Sequence, residues 1–218
     1  MLKHLEELAM GRAGMAVPFS RTVGDEVQAV LDGSGAGARL AVDLTLALLR
    51  DQGWSVGIGV GPVELPLPEV SRKGRGSAFY RARDAVERAK TRARGTSVAV
   101  EGSGSPIGAD RAKEIESLLR LLGAVRVRRT PQGWEAVDML SGLADKPGRQ
   151  KIAAQALEIS EQAVSQRVRA ALWQEEEGVR PIVVRLLAEL AEHDGAAGSA
   201  PNGELEDDAH DERGDLTL

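Results

Sequence analysis

Three consecutive residues near the N-terminus, Gly24-Asp25-Glu26, combine a turn-forming glycine with two neighbouring carboxylates. Such carboxylates can hold a divalent metal ion for phosphoryl chemistry, which needs acidic groups that bracket the ions. Gly-Asp is equally an ordinary hairpin turn, because the short polar side chain bonds to its own backbone. Two segments typical of strands, Phe19–Val23 and Val27–Leu31, flank these residues, so both interpretations place them at the tip of a hairpin.

A second set of polar residues follows helical spacing in the run SEQAVSQRVRA, which begins at Ser160. The spacing predicts that Gln162, Ser165, Gln166 and Arg169 point outward from one helix. Amide and guanidinium groups on a recognition helix match the base edges of the DNA major groove, so we predict that these four residues read bases. The predicted contacts to the DNA backbone are Arg149, Lys151 and Arg167.

Two short helices must position that face. The first is predicted from about Arg149 to Leu157, and the second follows Ser160, whose side chain is a good N-cap. The turn between them is Glu158-Ile159. The positions at which a helix-turn-helix buries its packing residues hold Ala154, Leu157, Ile159, Val164 and Val168. A helical hairpin used for dimerisation is the alternative interpretation.

This run resembles the helix-turn-helix of bacterial regulators and the promoter-reading domain of sigma factors. The resemblance implies double-stranded DNA as a partner and, as for most such regulators, a homodimer that reads two half-sites. Glu158 stands where these proteins usually carry glycine, and a left-handed backbone strains a residue with a Cβ atom. We therefore expect the turn to differ slightly. The apolar helix Ile182–Leu190 caps the motif, forms a dimer contact or is a simple core helix.

The first part of the chain alternates helices and strands, which favours an α+β fold with helices on one face of a sheet, as in ferredoxin-like folds. Alternate glycines, Gly57 and Gly59, indicate that another element packs closely over one strand. The predicted helices are Leu2–Leu8, Ala38–Gln52, Ser77–Arg94 and Ala109–Leu122. Besides the hairpin, the predicted strands are Trp54–Leu65, Thr96–Glu101 and, as a last edge strand or connector, Val125–Arg129.

Composition divides the chain into three parts. Nine of the 33 acidic residues but only one of the 28 basic residues lie from Ala191 onward, so the preceding body carries a net charge of +3. An acidic segment with few apolar residues cannot offset the entropy of ordering. We predict an α+β domain over residues 1–130, a small all-α helix-turn-helix domain over 131–192 and a disordered acidic tail over 193–218.

Composition also narrows the class of protein. The chain has no cysteine, which excludes disulfides, thiolate zinc sites and a cysteine nucleophile. Its three histidines are scattered, so we predict no metal site and no cofactor. The charged N-terminus is unlike a signal peptide, and no window approaches the roughly 18 apolar residues of a membrane span. We expect a cytoplasmic protein that does not contact the membrane.

The stretches GDEVQAVL, WSVGIGVGPVE and GRGSAFYRARDAVERAK resemble the SatD-like family of bacterial proteins over roughly residues 18–90. More distantly they resemble class III nucleotide cyclases and GGDEF cyclases. The resemblance implies a palm-type, ferredoxin-like domain, which agrees with the element order. Candidate contacts to a small, nucleotide-like ligand or a partner are Asp25, Glu26, Arg75 and Arg83. Arg75 lies between two glycines before a helix N-terminus, which suits an anion, whereas the glycines at 57, 59 and 61 lack dinucleotide-binding spacing.

The resemblance does not imply catalysis, and the sequence leaves enzymatic activity undecided while favouring its absence. Cyclases take a second metal-binding carboxylate from a strand that precedes the hairpin, but this chain begins with Leu2–Leu8, within the helix that follows that strand. The sheet is then one strand short, so the start is misassigned, another subunit completes the sheet, or its edge is exposed. Phe79 stands where cyclases carry an asparagine. We therefore predict no catalytic residues.

The function expected from these features is a DNA-binding transcriptional regulator whose first domain serves dimerisation or ligand sensing. Two alternatives stay open. One is a metal-dependent nucleotide-processing enzyme with an accessory DNA-binding domain. The other is a module that docks on RNA polymerase or a sigma factor.

Overall fold

The computed structural model describes residues 2–22, 24–93, 95–144 and 146–198, and within them the predicted mixed α+β class is confirmed. The strands are β1 (Met15–Arg21), β2 (Val27–Leu31), β3 (Val56–Gly59) and β4 (Val98–Glu101). The helices are α1 (Leu2–Ala9), α2 (Gly35–Asp51), α3 (Ser77–Lys90), α4 (Pro106–Val127), α5 (Pro131–Ser141), α6 (Arg149–Ala156), α7 (Glu161–Ala170) and α8 (Trp173–Gly198). The strands form two separate two-stranded sheets.

The first sheet is the predicted hairpin. β1 and β2 pair antiparallel from Met15 opposite Leu31 to Arg21 opposite Val27. The connection closes through a hydrogen bond of 3.1 Å from the Thr22 amide to the Glu26 carbonyl. α1 and α2 pack against this sheet through a small apolar cluster that includes Leu5, Leu40 and Leu44. The hairpin prediction is confirmed, although β1 begins four residues before Phe19.

The second sheet pairs β3 with β4 in parallel, and α3 crosses between the two strands. A Cβ atom built on Gly59 would lie 2.1 Å from the Ala82 nitrogen, and one on Gly57 would lie 2.4 Å from the Val86 nitrogen. The backbone of α3 therefore lies directly on β3, which confirms the predicted close approach. β3 is much shorter than Trp54–Leu65, because the prolines that follow cannot donate to a strand ladder.

α4 is longer than its sequence predicts. It begins after Ser105, whose hydroxyl accepts a hydrogen bond from the Gly108 amide, and it ends at Val127. The prediction of a strand or connector over Val125–Arg129 is therefore wrong for residues 125–127. Alternating Val and Arg favours a strand only weakly. Here the burial of Leu122 and a hydrogen bond of 2.6 Å from Arg126 to the Leu46 carbonyl extend the helix instead.

Two separate apolar clusters form the interior. The first core lies between α2, α4, α8 and the β3–β4 sheet, and the second lies among α5, α6 and α7. α8 contributes to both, because Trp173 belongs to the second core and Val183–Leu190 to the first. It runs on through residues 193–198, which the sequence assigns to the acidic tail, while residues 199–218 lie outside the described residues. None of the described helices is both long and apolar enough to cross a bilayer.

A buried carboxylate joins the two cores. Glu176 of α8 is only 2% exposed, and it accepts hydrogen bonds from Arg126, at 2.7 Å, and from Arg129. Burial alone would raise the pKa of Glu176, but the two guanidinium groups outweigh it and hold the pKa below its ordinary value. On the other side, the guanidinium carbons of Arg50 and Arg129 lie 3.8 and 4.8 Å from the ring centre of Trp134 in α5. Cation–π contacts thus extend the ion network to α5, the first helix of the second core.

Candidate nucleic-acid interface

Helices α5, α6 and α7 form a compact three-helix unit. α7 packs on both α5 and α6. The side chains that fill the space between them are mostly small, including Ala136, Ala153 and Val164, all with no measurable exposure. Small residues let the three helices approach closely. This packing holds α7, the second helix of the helix-turn-helix, with one face inward and one face outward.

The turn between α6 and α7 keeps the left-handed geometry of a typical helix-turn-helix, contrary to the expectation that Glu158 would change it. Glu158 has φ = 53°. The Ile159 amide donates to the Ala154 carbonyl at 3.0 Å and the Glu158 amide to the Gln155 carbonyl at 3.3 Å. These two bonds are those of a Schellman motif, and Ile159 packs on the second core. They offset a backbone strain of about 1 kcal/mol.

The start of α7 is fixed by Ser160. Its hydroxyl accepts a hydrogen bond of 3.1 Å from the Ala163 amide, as the sequence predicts for an N-cap. Glu161 in the first turn adds a negative charge at the positive end of the helix dipole. Cap and turn together set the angle at which α7 leaves α6.

The outward face of α7 carries three of the predicted base-reading residues. Val164 and Val168 are buried, and Gln162, Gln166 and Arg169 lie exposed on the opposite side. None of these three side chains forms a hydrogen bond or ion pair with the described part of the chain. Their donors and acceptors are available to a ligand that presents complementary groups.

Two further predicted residues, Arg149 and Ser165, lie beside this stripe of Gln162, Gln166 and Arg169. Arg149, Ser165 and Arg169 line one cavity of about 270 Å³ with Trp173, and the guanidinium carbon of Arg149 lies 5.3 Å from the Trp173 ring centre. The Ser165 hydroxyl is bonded to the amide of Gln150. Gln150 was not predicted, although its place next to Arg149 at the start of α6 is a signal that could have found it.

The last two predicted residues differ in availability. Lys151 is exposed on α6. Arg167 is engaged within the protein, because its Nη1 lies 3.3 Å from the Glu135 carboxylate of α5 and its side chain is only 28% exposed. The structure therefore places five of the seven predicted DNA contacts on the exposed face of α7 or in the cavity beside it, leaves Lys151 exposed on α6, and turns Arg167 toward α5.

The four predicted ligand contacts, Asp25, Glu26, Arg75 and Arg83, all belong to the described part of the chain and form no hydrogen bond or ion pair with one another. Asp25 lies exposed in the hairpin turn. Arg75 is exposed just before α3, and Arg83 is exposed on α3. Glu26 pairs with Lys90 at 3.0 Å, and hydrogen bonds from the ammonium to Glu87 and Glu26 raise the pKa of that lysine. Within the described ranges, no three histidine or acidic side chains are grouped so that they could hold a metal ion.

The basic residues at the end of α3 are largely neutralised by acidic partners. Arg88 lies 2.7 Å from Glu116 and 2.8 Å from Glu101, and Arg92 also pairs with Glu116. Burial lowers the pKa of Arg88, but the two carboxylates outweigh it and the net shift is upward. Glu116 in turn accepts a hydrogen bond from the Val100 amide. This part of α3 is a structural ion-pair network.

No family model, no curated protein and no solved structure matches this chain. The α6–α7 face and the chemistry of its side chains are therefore the basis for a functional assignment.

Proposed function

We propose that this protein is a sequence-specific DNA-binding transcriptional regulator in which α7 enters the major groove. The observation that carries the proposal is the stripe of Gln162, Gln166 and Arg169, which is exposed, unengaged and held by a capped helix-turn-helix. Gln and Arg can make paired hydrogen bonds to adenine and guanine edges. A helix of ten residues is about 15 Å long, which suits a groove about 12 Å wide.

Backbone contacts come from the cations beside the stripe. Arg149 and Lys151 at the start of α6 are the proposed phosphate ligands, and the Gln150–Ser165 pair fixes the spacing between the two helices. Phosphate contacts position a protein on DNA without reading its sequence, so these residues supply affinity and orientation.

The proposed assembly is a homodimer that reads two half-sites about 34 Å apart on one face of the duplex. The proposed role of the α+β domain, with a palm-type arrangement of its strands, is dimerisation or the sensing of a small ligand, without catalysis. The element order of the hairpin, α2, β3, α3 and β4 supports the palm-type arrangement.

The test is selection of bound sequences from a random DNA pool, followed by affinity measurements on the enriched site near physiological salt. Each base contact contributes about 1–3 kcal/mol, so Gln166→Ala with Arg169→Ala should weaken binding to that site about 100-fold. Arg185→Ala is the matched control, because Arg185 is an exposed arginine of α8 whose one ion pair within the described residues is with Glu189.

An enriched palindrome with half-sites one helical turn apart supports the regulator and its dimer. A double variant that selects the same site with unchanged affinity rejects the assignment of α7 as the reading helix. If the protein retains no DNA at all, the α6–α7 face is to be tested against RNA polymerase and sigma factors instead.

A further inference from the structure

The carboxyl ends of the two parallel strands form a second polar site. β3 ends before Val60 and β4 before Gly102, while α3 and α4 begin at Ser77 and Pro106. Parallel strands leave a crevice outside their carboxyl ends, and helix N-termini that face it favour negative charge. The loop after β3 begins with VGP, residues 60–62, and the loop after β4 is GSGS, residues 102–105.

A carboxylate from the far end of the chain lies in this crevice. The Asp194 side chain of α8 has 0% exposure. Its Oδ2 accepts a hydrogen bond of 2.6 Å from the Ser103 amide and lies 3.5 Å from Nη1 of Arg81, which also donates to the Val60 carbonyl. A backbone amide and a guanidinium group thus hold a buried anion that belongs to the protein itself.

The fit of that carboxylate is incomplete. Asp194 Oδ1 and Ser77 Oγ are both buried, and neither forms a hydrogen bond with the described residues. Ser103 Oγ lies 2.9 Å from Ser105 Oγ, which lies 3.4 Å from His193 Nε2. Buried polar atoms are normally satisfied, so unused groups on both the carboxylate and its surroundings indicate a site built for a different anion.

Two glycines keep room for these groups. A Cβ atom on Gly61 would lie 2.3 Å from Arg81 Nη1 and 2.8 Å from Ser77 Oγ. A Cβ atom on Gly108 would lie 2.2 Å from Ser103 Oγ and 3.1 Å from Asp194 Oδ1. The polar atoms of α3, of the loop after β4 and of α8 therefore crowd toward positions that only glycine leaves open.

We propose that this strand-end site binds the phosphate group of a phosphorylated small molecule and that Asp194 is an internal competitor for it. A phosphate offers more acceptor oxygens than a carboxylate. It can accept from the Ser103 amide and Arg81, as Asp194 does, and also from the hydroxyls of Ser77, Ser103 and Ser105. Entry of the phosphate expels Asp194 and releases the end of α8.

The release of α8 links the site to the second core. The same helix carries Glu176, which bonds Arg126 and Arg129, and Trp173, which belongs to the core of the three-helix unit. Ligand binding then changes DNA binding through α8. This coupling rests on the proposed function, whereas the phosphate site itself does not.

The test is isothermal titration calorimetry of the full chain with inorganic phosphate, against sodium chloride at equal ionic strength. If Asp194 fills the site in about nine of ten molecules, Asp194→Asn should bind phosphate about tenfold more tightly than the unsubstituted protein. Arg81→Met should lose binding. Glu192→Gln and Lys113→Gln, which remove exposed charges on α8 and α4, should leave the affinity unchanged.

Tighter phosphate binding by Asp194→Asn supports the proposal even where Arg81→Met does not fold, because an unfolded chain cannot bind phosphate more tightly. No phosphate binding by Asp194→Asn at millimolar concentration overturns the proposal. Equal affinity in all variants also overturns it, since binding would then reflect net charge alone.

Hydrogen exchange tests the competition directly. Phosphate should speed amide exchange in the last turns of α8, near residues 190–195, in the unsubstituted protein. Phosphate binding with unchanged exchange there would contradict the expulsion of Asp194. Phosphate binding by a protein that retains no DNA would reject the proposed function and leave this site standing, and the reverse result would reject the site alone.

Discussion

The two cores of this protein differ in what stabilises them. The first contains 16 buried apolar residues, most of them Leu, Ile or Val, from helices and strands on every side. The second contains ten, of which four are alanine, and it meets the first through Glu176, Arg126, Arg129 and Trp134. Alanine buries little apolar area, so the three-helix unit gains less from the hydrophobic effect than the first core. Its stability and orientation therefore depend on charged groups at the junction.

Removing the charge at the junction should have the largest effect. Glu176→Gln leaves Arg126 and Arg129 without their anion, and loss of one partner of a buried ion pair costs about 3–5 kcal/mol. The expected result is a lower urea midpoint, with amides of α5–α7 losing protection from hydrogen exchange before those of β4 and α4. Glu175→Gln, at the exposed neighbouring position, should change the free energy of unfolding by less than about 0.5 kcal/mol. Equal midpoints for the two variants would show that the junction does not depend on the ion network.

Lowering the pH should gradually remove the same charge on Glu176 and with it the same stabilisation. The folded protein holds the pKa of Glu176 below its ordinary value of 4.5, to which it returns in the unfolded chain. The stabilisation is therefore complete above 4.5 and is lost as the pH falls through the lower folded pKa. Urea midpoints measured from neutral pH to about pH 3 should show the unsubstituted protein and Glu176→Gln converging on the acid side. A constant difference between the two over that range would assign the stabilisation to another group.

Relieving the backbone strain at Glu158 should have the smallest effect, and it should raise stability instead of lowering it. Glu158→Gly removes the strain of a left-handed residue with a Cβ atom, so it should stabilise the second core by up to about 1 kcal/mol. Gln155→Gly, three residues earlier on the exposed side of α6, should instead destabilise it by about 1 kcal/mol. Thermal unfolding of the two variants checks both signs, and a lower midpoint for Glu158→Gly would mean that the glutamate makes a stabilising contact of its own.

Local features of this chain could be predicted from sequence. The spacing of Val164 and Val168, the cap at Ser160 and the hairpin around Gly24-Asp25 depend on neighbouring residues, and the structure contains all three. The direction of the α7 face follows from the same periodicity, so the exposed positions of Gln162, Gln166 and Arg169 agree with the sequence.

Features that depend on distant residues could not be predicted. Asp194 reaches Ser103 across 91 positions and Glu176 reaches Arg129 across 47, and no sequence period connects such pairs. Val125–Val127 alternates like a strand, but packing against α2 and α8 makes it helical. The spacing of residues within α7 predicts Arg167 as a DNA contact, but Glu135 of another helix, α5, engages it.

α8 couples the two cores mechanically, because one helix packs in both. Its contacts with the two cores, from Trp173 to Leu190, are about 25 Å apart along the helix axis. Between them lies Pro181, which lacks the amide needed to bond the carbonyl four residues earlier and so marks the point where bending is easiest. A tilt of about 10° there would move either end of this contact region, which lies roughly 12–14 Å from the proline, by roughly 2 Å. In the proposed regulator, a change at the strand-end site would thus reach the three-helix unit as a shift of about 2 Å.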